Sequence, residues 1–163
     1  MHIIFGYQTG PSYGEIEEQD GGFSIDILLN DIIEYKTYIF DNKEKSLETY
    51  KIDNNSLCKI KDIVNFHKNK IDEIPNHLDN GSCDGDGNFF TFMDKKIIAW
   101  NIQYTDIEDI QKKNLSYYEL YRENIKYENT ILIIFAEIIN VLEVIGIHLN
   151  INSINFSKDA TKI

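Results

Sequence analysis

At 163 residues the chain can bury about 70% of its unfolded surface as one domain, and its 42% apolar and 12% aromatic content places it with globular folds rather than disordered segments. A net charge of −11 would repel nucleic acid and anionic lipid and steer a basic partner instead. Two cysteines, Cys58 and Cys83, make no disulfide framework, and the start of the chain lacks the basic and long apolar stretches of a signal peptide, so a cytoplasmic protein with reduced thiols is expected.

The acid is unevenly spread. Residues 1–50 carry ten acids against three lysines, residues 51–70 two acids against five lysines, and residues 71–100 six acids against two lysines. The predicted first helix is therefore basic between two acidic segments. Arg122 is the sole arginine, and Ile, Asn and Lys abound, a bias typical of AT-rich coding.

Residues 2–7 (HIIFGY) are short, apolar and β-branched, and read as a strand. Residues 8–22 (QTGPSYGEIEEQDGG) are a loop rich in Gly and turn formers, with Glu15, Glu17, Glu18 and Asp20 clustered. Neither GxxxxGK[ST] nor GxGxxG occurs there, and the acids would repel a phosphate. Residues 23–29 alternate, with Phe23, Ile25 and Ile27 on one face and Ser24 and Asp26 on the other. Residues 33–40 and 47–52 read as two further strands around a turn at 41–45. Together these predict an antiparallel meander with one wet face, Tyr35, Tyr38 and Tyr50 serving cross-strand packing.

Asp53, Asn54, Asn55 and Ser56 supply helix-capping chemistry. Leu57, Ile60, Ile63/Val64, His67 and Ile71 then recur at helical spacing, which predicts a helix to about Lys70, with Pro75 limiting it; Cys58 reads as a small core residue. A turn-rich loop at residues 79–88 leads into a hairpin, 89–93 and 96–102, turning at Asp94 and Lys95. Residues 103–113 are polar and read as irregular. Ser116 and Glu119 match a capping box for a short helix from Tyr117, and Asn129 and Thr130 can cap a separate one. That second helix, about 131–145, lies in the most apolar run of the chain, 130–149 (TILIIFAEIINVLEVIGIHL). Its polar stripe is narrow, Glu137, Asn140 and Glu143, so it must be buried on several sides, with Gly146 as its terminator. Two carboxylates at its middle exclude a membrane span. The tail at 147–156 can add an edge strand. The expected fold class is α+β: an antiparallel sheet of about six strands, meander plus hairpin, packed on two main helices in a single domain, 1–163.

No catalytic constellation stands out. Asp79, Asp84 and Asp86 invite a calcium loop, but a frame starting at Asp84 puts Phe89 where glycine is needed and Lys95 where glutamate is needed. Asx turns account for the same residues. Cys83 and His77 lack an orienting third group, and His2, His67, His77 and His148 form no HExxH or four-ligand set. His67 falls on the apolar face of its helix as a packing residue. Glu137 and Glu143, about 120° apart around the helix, do not converge. No catalytic residue, metal ligand or cofactor is expected.

The N-terminal strand with its acidic Gly-rich loop, the meander, the helix, the segment L-D-N-G-S-C-D-G at 78–85, the hairpin ending I-A-W-N-I at 98–102 and the terminal helix pair resemble small bacterial immunity proteins. These are the antidotes of polymorphic toxin systems such as contact-dependent growth inhibition. The resemblance implies a cytoplasmic, non-enzymatic protein that binds one cognate toxin domain, often a nuclease, and covers its active or substrate-binding surface. It implies no membrane or direct nucleic-acid contact, and it allows a third protein bound through the toxin. Because a nuclease needs a positive groove for phosphates, a rigid acidic surface can occupy that groove. The acids that would do so are Glu15, Glu17, Glu18 and Asp20 in the first loop and Asp79, Asp84 and Asp86 in the second. The alternative is a small-molecule or metal-binding regulatory domain using the loop at 79–88; a third reading is an enzyme with an inconspicuous site.

Overall fold

The computed structural model describes residues 2–9, 22–39, 43–78, 87–149 and 151. The period-two pattern of the N-terminal half becomes an antiparallel meander. Strands β1 (Ile3–Thr9), β2 (Phe23–Leu28), β3 (Ile32–Ile39) and β4 (Lys43–Lys51) lie in the order β4-β3-β2-β1. Asp31 closes the short β2–β3 turn at φ 63°, a left-handed conformation that a short polar side chain tolerates. Beyond β1 the sheet continues into the hairpin of β6 (Gly87–Phe92) and β7 (Lys95–Trp100), and the two-residue β5 (His77–Leu78) pairs in parallel with β7. The architecture is α+β, and the short parallel edge makes the sheet one of seven strands.

Cross-strand register sorts the side chains into rows. Ile97, Phe90, Tyr7, Ile25 and Tyr35 stand opposite one another across five strands, and Phe92, Phe5, Ile27 and Ile33 form the next row. All nine are buried. This inner face meets the helices α1 (Asn54–Phe66) and α4 (Leu115–Val144). Phe135 of α4 sits over its centre, its ring centroid 5.1 Å from Phe5, 4.9 Å from Tyr7 and 6.1 Å from Phe90. Each side chain so buried stabilises the fold by about 1.5–3 kcal/mol relative to exposure.

Asp53 caps α1 by accepting from the Ser56 backbone N–H at 3.0 Å, and hydrogen bonding to Ser56 holds its carboxyl below the usual value. Leu57, Ile60, Val64 and Ile71 are buried as their spacing predicts. The single helix expected there is instead interrupted at His67, and α2 (Lys68–Glu73) carries the path on to Pro75. Cys58 is exposed, not in the core, because its position lies off the buried stripe.

Two expectations for the C-terminal half are corrected. Residues 107–113 form a helix, α3 (Ile107–Lys113), capped by Asp106, which accepts from the Glu108 and Asp109 N–H groups. It buries no residue, so no apolar periodicity announced it; its cap and the Lys113–Asp109 pair at 2.6 Å support it locally. The two helices expected after Ser116 are one 30-residue helix, α4. Asn114 caps it by accepting from the Tyr117 N–H at 3.1 Å, and no Gly or Pro follows to stop it before Gly146. Asn129 is therefore no cap. It is buried and clasps Thr105, accepting from its N–H at 2.9 Å and donating to its carbonyl at 2.8 Å. The predicted terminator holds: Gly146 has φ 80°, and the Ile147 and Gly146 N–H groups bond back to the Leu142 and Glu143 carbonyls. No described helix is long and apolar enough to cross a membrane.

Candidate functional site

The helices cover one face of the sheet, and among the described residues no helix packs on the other. Alternation puts the polar partners of the core rows on this outer face. Lys96, Thr91, Gly6, Asp26, Glu34 and Thr49 form one row across six strands, and His77, Ile98, Phe89, Gln8, Ser24, Lys36 and Leu47 form the next across all seven.

The middle of this face is charged and internally paired. Lys36 and Glu34 bridge at 3.2 Å, and that hydrogen bond raises the lysine's affinity for its proton. Asp26 lies close over Gly6; a side-chain carbon on Gly6 would come within 2.7 Å of its carboxylate oxygen, so the carboxylate uses space that only glycine leaves. Burial raises the Asp26 carboxyl above its ordinary value, Lys36 pulls it down, and Glu34 adds to the rise. Ser24 and Tyr38 share a hydrogen bond at 3.0 Å. These groups could orient a polar or basic surface.

One end of the same face is apolar. Phe89 and Trp100 both lie within 3.3 Å of where a Gly87 side chain would be, so their rings close over that glycine. Ile98 stands opposite Phe89, and His77 stands opposite Ile98 on the edge strand. Trp100 donates from Nε1 to His77 Nε2 at 3.3 Å. Phe89 remains 41% exposed and His77 is exposed, while Ile98 and Trp100 are half-buried. The sequence carries a trace of this patch. Phe90 and Phe92 obey the alternation of a strand facing the core, and Phe89 breaks it.

The acids singled out from the sequence, Glu15, Glu17, Glu18, Asp20, Asp79, Asp84 and Asp86, lie outside the described residues, as do Cys83 and the tail beyond 151. Their flanks do not. Thr9, which precedes the first acidic segment, pairs with Asn88, which follows the second. Leu78, which precedes the second, pairs with Ala99, and Ala99 pairs with Asn88. Both acidic segments thus leave and rejoin the sheet at the end that carries Phe89 and Trp100. On the core side of this end Tyr7 donates to Asn88 Oδ1 at 2.7 Å, which pins β1 to β6 where the segments begin.

Elsewhere His67 is buried at the α1–α2 junction with Nε2 3.0 Å from the Glu137 carboxylate. Its Nδ1 is buried without a hydrogen-bond partner. The predicted packing role is accurate for the ring, and the Glu137 contact is an addition that a one-helix reading could not supply. Glu143 is exposed and away from this pair. At the opposite end of the sheet from Trp100, a cleft of about 230 Å³ lies between the α1–α2 junction and the β6–β7 turn. Its floor is Val64, Ile71, Phe92 and Met93, and its rim holds the Lys68–Asp72 ion pair with Asp94 and Lys95. Met93 adopts φ 51° at that turn, an uncommon conformation for a residue with a side chain. Among the described residues no three His, Cys, Asp or Glu side chains converge to hold a metal ion.

In comparisons with known proteins, no family model, no curated protein and no solved structure matches the chain.

Proposed function

We propose that this protein is a cytoplasmic, non-enzymatic immunity protein. It binds a cognate bacterial toxin domain, a nuclease acting on RNA or DNA, and neutralises it by covering its basic active or substrate-binding surface. The observation that carries the reading is that the residues flanking the two acidic segments, Thr9, Leu78 and Asn88, meet at one end of the sheet. The acids, Glu15, Glu17, Glu18 and Asp20 with Asp79, Asp84 and Asp86, are accompanied in those segments by no lysine or arginine. A surface of that sign is complementary to a groove built for phosphates, and it would speed association by electrostatic steering. The resemblance to immunity proteins supports the same conclusion.

The test is to purify the tagged protein from its native cells together with the product of the neighbouring gene. One stoichiometric basic partner is expected, with binding that weakens as salt rises and that charge reversal at Glu17 and Glu18 weakens selectively. Retention of full binding by Glu17→Lys/Glu18→Lys would remove the first acidic segment from the interface. Recovery of no protein partner would contradict the function.

A further inference from the structure

The cleft between the α1–α2 junction and the β6–β7 turn lies at the opposite end of the sheet from the flanks of the acidic segments. Its floor is apolar and assembled from three elements: Val64 of α1, Ile71 of α2 and Phe92 of β6, all buried. Met93 closes one wall under backbone strain. It holds φ 51°, a conformation glycine would adopt freely, while its side chain lines the cleft and packs on the core. Its N–H bonds to the Ile4 carbonyl at 3.0 Å, which fixes the turn against β1. Strained residues of this kind concentrate at ligand clamps.

The rim carries charge of both signs. On the helical side Lys68 and Asp72 satisfy each other, with hydrogen bonds of 2.7 and 3.0 Å. On the hairpin side neither Asp94 nor Lys95 has an ion-pair partner among the described residues. At about 230 Å³ the cleft is smaller than the roughly 300–1,000 Å³ of sites for drug-sized ligands, so it suits a small molecule.

We propose that this cleft binds a free α-amino acid with an aliphatic side chain. The side chain lies on Val64, Ile71, Phe92 and Met93, the ligand's ammonium faces the Asp94 carboxylate, and its carboxylate faces the Lys95 ammonium. A purely apolar ligand would leave both rim charges unmatched, and a simple anion or cation would meet a like charge beside its partner. A zwitterion matches both at once through charge-assisted hydrogen bonds. Touching α1, α2 and the β6–β7 turn, the ligand would tie the helical layer to the hairpin and stabilise the folded state. The proposal is independent of the toxin-binding function.

The chain contains two methionines, Met1 and Met93, so ε-¹³C-methionine labelling of the full chain places one methyl reporter in the cleft and one at the first residue. On titration with L-leucine the Met93 resonance should shift and saturate with a Kd of about 1 mM or below, while Met1 stays put. Isocaproate lacks the ammonium, isoamylamine lacks the carboxylate and glycine lacks the side chain; each should bind about tenfold more weakly or worse. Asp94→Asn and Lys95→Gln should each weaken leucine binding about tenfold. The ligand series needs no substitution, so a folding defect in either variant would not decide the matter. Absence of a Met93 shift up to about 20 mM leucine overturns the site. Equal affinity for isocaproate or isoamylamine overturns the zwitterion, and a parallel shift at Met1 marks non-specific binding and overturns both.

Discussion

The two faces of this sheet are written by the same strands, one residue out of step, and they obey different rules. On the inner face Phe5, Tyr7, Phe90 and Phe92 have their solvent removed by Phe135 and the rest of the helical layer. Aromatic residues there are explained by packing. On the outer face the middle rows satisfy themselves by charge pairing and hydrogen bonds, as in Lys36–Glu34 and Ser24–Tyr38. Phe89 and Trp100 differ from these rows: their rings close over Gly87, and Phe89 carries no polar group to pair. The lesson is that a side chain's meaning depends on which face it occupies. Phe89 and Phe90 are chain neighbours with opposite roles.

The sharpest break in this contrast should come from the inner face. Phe135→Ala removes the ring that touches Phe5 and Tyr7 of β1 and Phe90 of β6, and it should destabilise the protein by about 3–5 kcal/mol, read from urea unfolding. The Asn129 clasp comes next. Asn129→Ala loses both hydrogen bonds to Thr105 and should cost about 1–3 kcal/mol, with faster amide exchange at Thr105 and in α3 than in the sheet. Phe89→Gln, one residue from a core position, should change stability by about 0.5 kcal/mol or less. A loss as large as that from Phe135→Ala would mean the outer patch is structural, and the distinction between the faces would collapse.

The smallest effect is expected at Asp26. Burial raises its carboxyl pKa above the ordinary 3.8, so the folded state holds the proton more tightly than the unfolded chain does. The contribution of that group is fully present below the unfolded value and is lost as pH rises through the folded one, leaving a strained carboxylate at neutral pH. Asp26→Asn should therefore raise the melting temperature slightly at pH 7, and the gain should vanish as the pH falls to about 3.8 and below. A loss of stability at pH 7 would mean that the attraction to Lys36 outweighs the desolvation.

Much of the fold was legible because alternation and helical spacing report burial directly. The rows through Ile25, Ile27 and Phe90, and the stripe through Leu57, Ile60 and Val64, were visible in residue order. What stayed hidden lacked an apolar signature. Helix α3 buries nothing, and the first turns of α4 carry charge and tyrosine on all sides, so a 30-residue helix read as two. The residue at the break, His67, meets Glu137, 70 residues away, a contact that spacing cannot encode. The candidate site was legible as charge but not as place. Composition singled out two acidic segments. Only the pairing of Thr9 with Asn88, and of Leu78 with Ala99, brings their ends together beside Phe89 and Trp100. The outward turn of Ile98 and Trp100 could not be read from KKIIAW, where either phase is apolar.

The most direct test of the central claim is an inhibition titration. The purified neighbouring gene product is assayed for nucleic-acid cleavage while this protein is added, at about 50 mM and about 200 mM salt, where screening of surface charge differs clearly. The account predicts complete loss of cleavage at one equivalent at the lower salt, with a slower onset of inhibition at the higher. Cleavage that persists beyond several equivalents would contradict it, as would an onset that does not respond to salt.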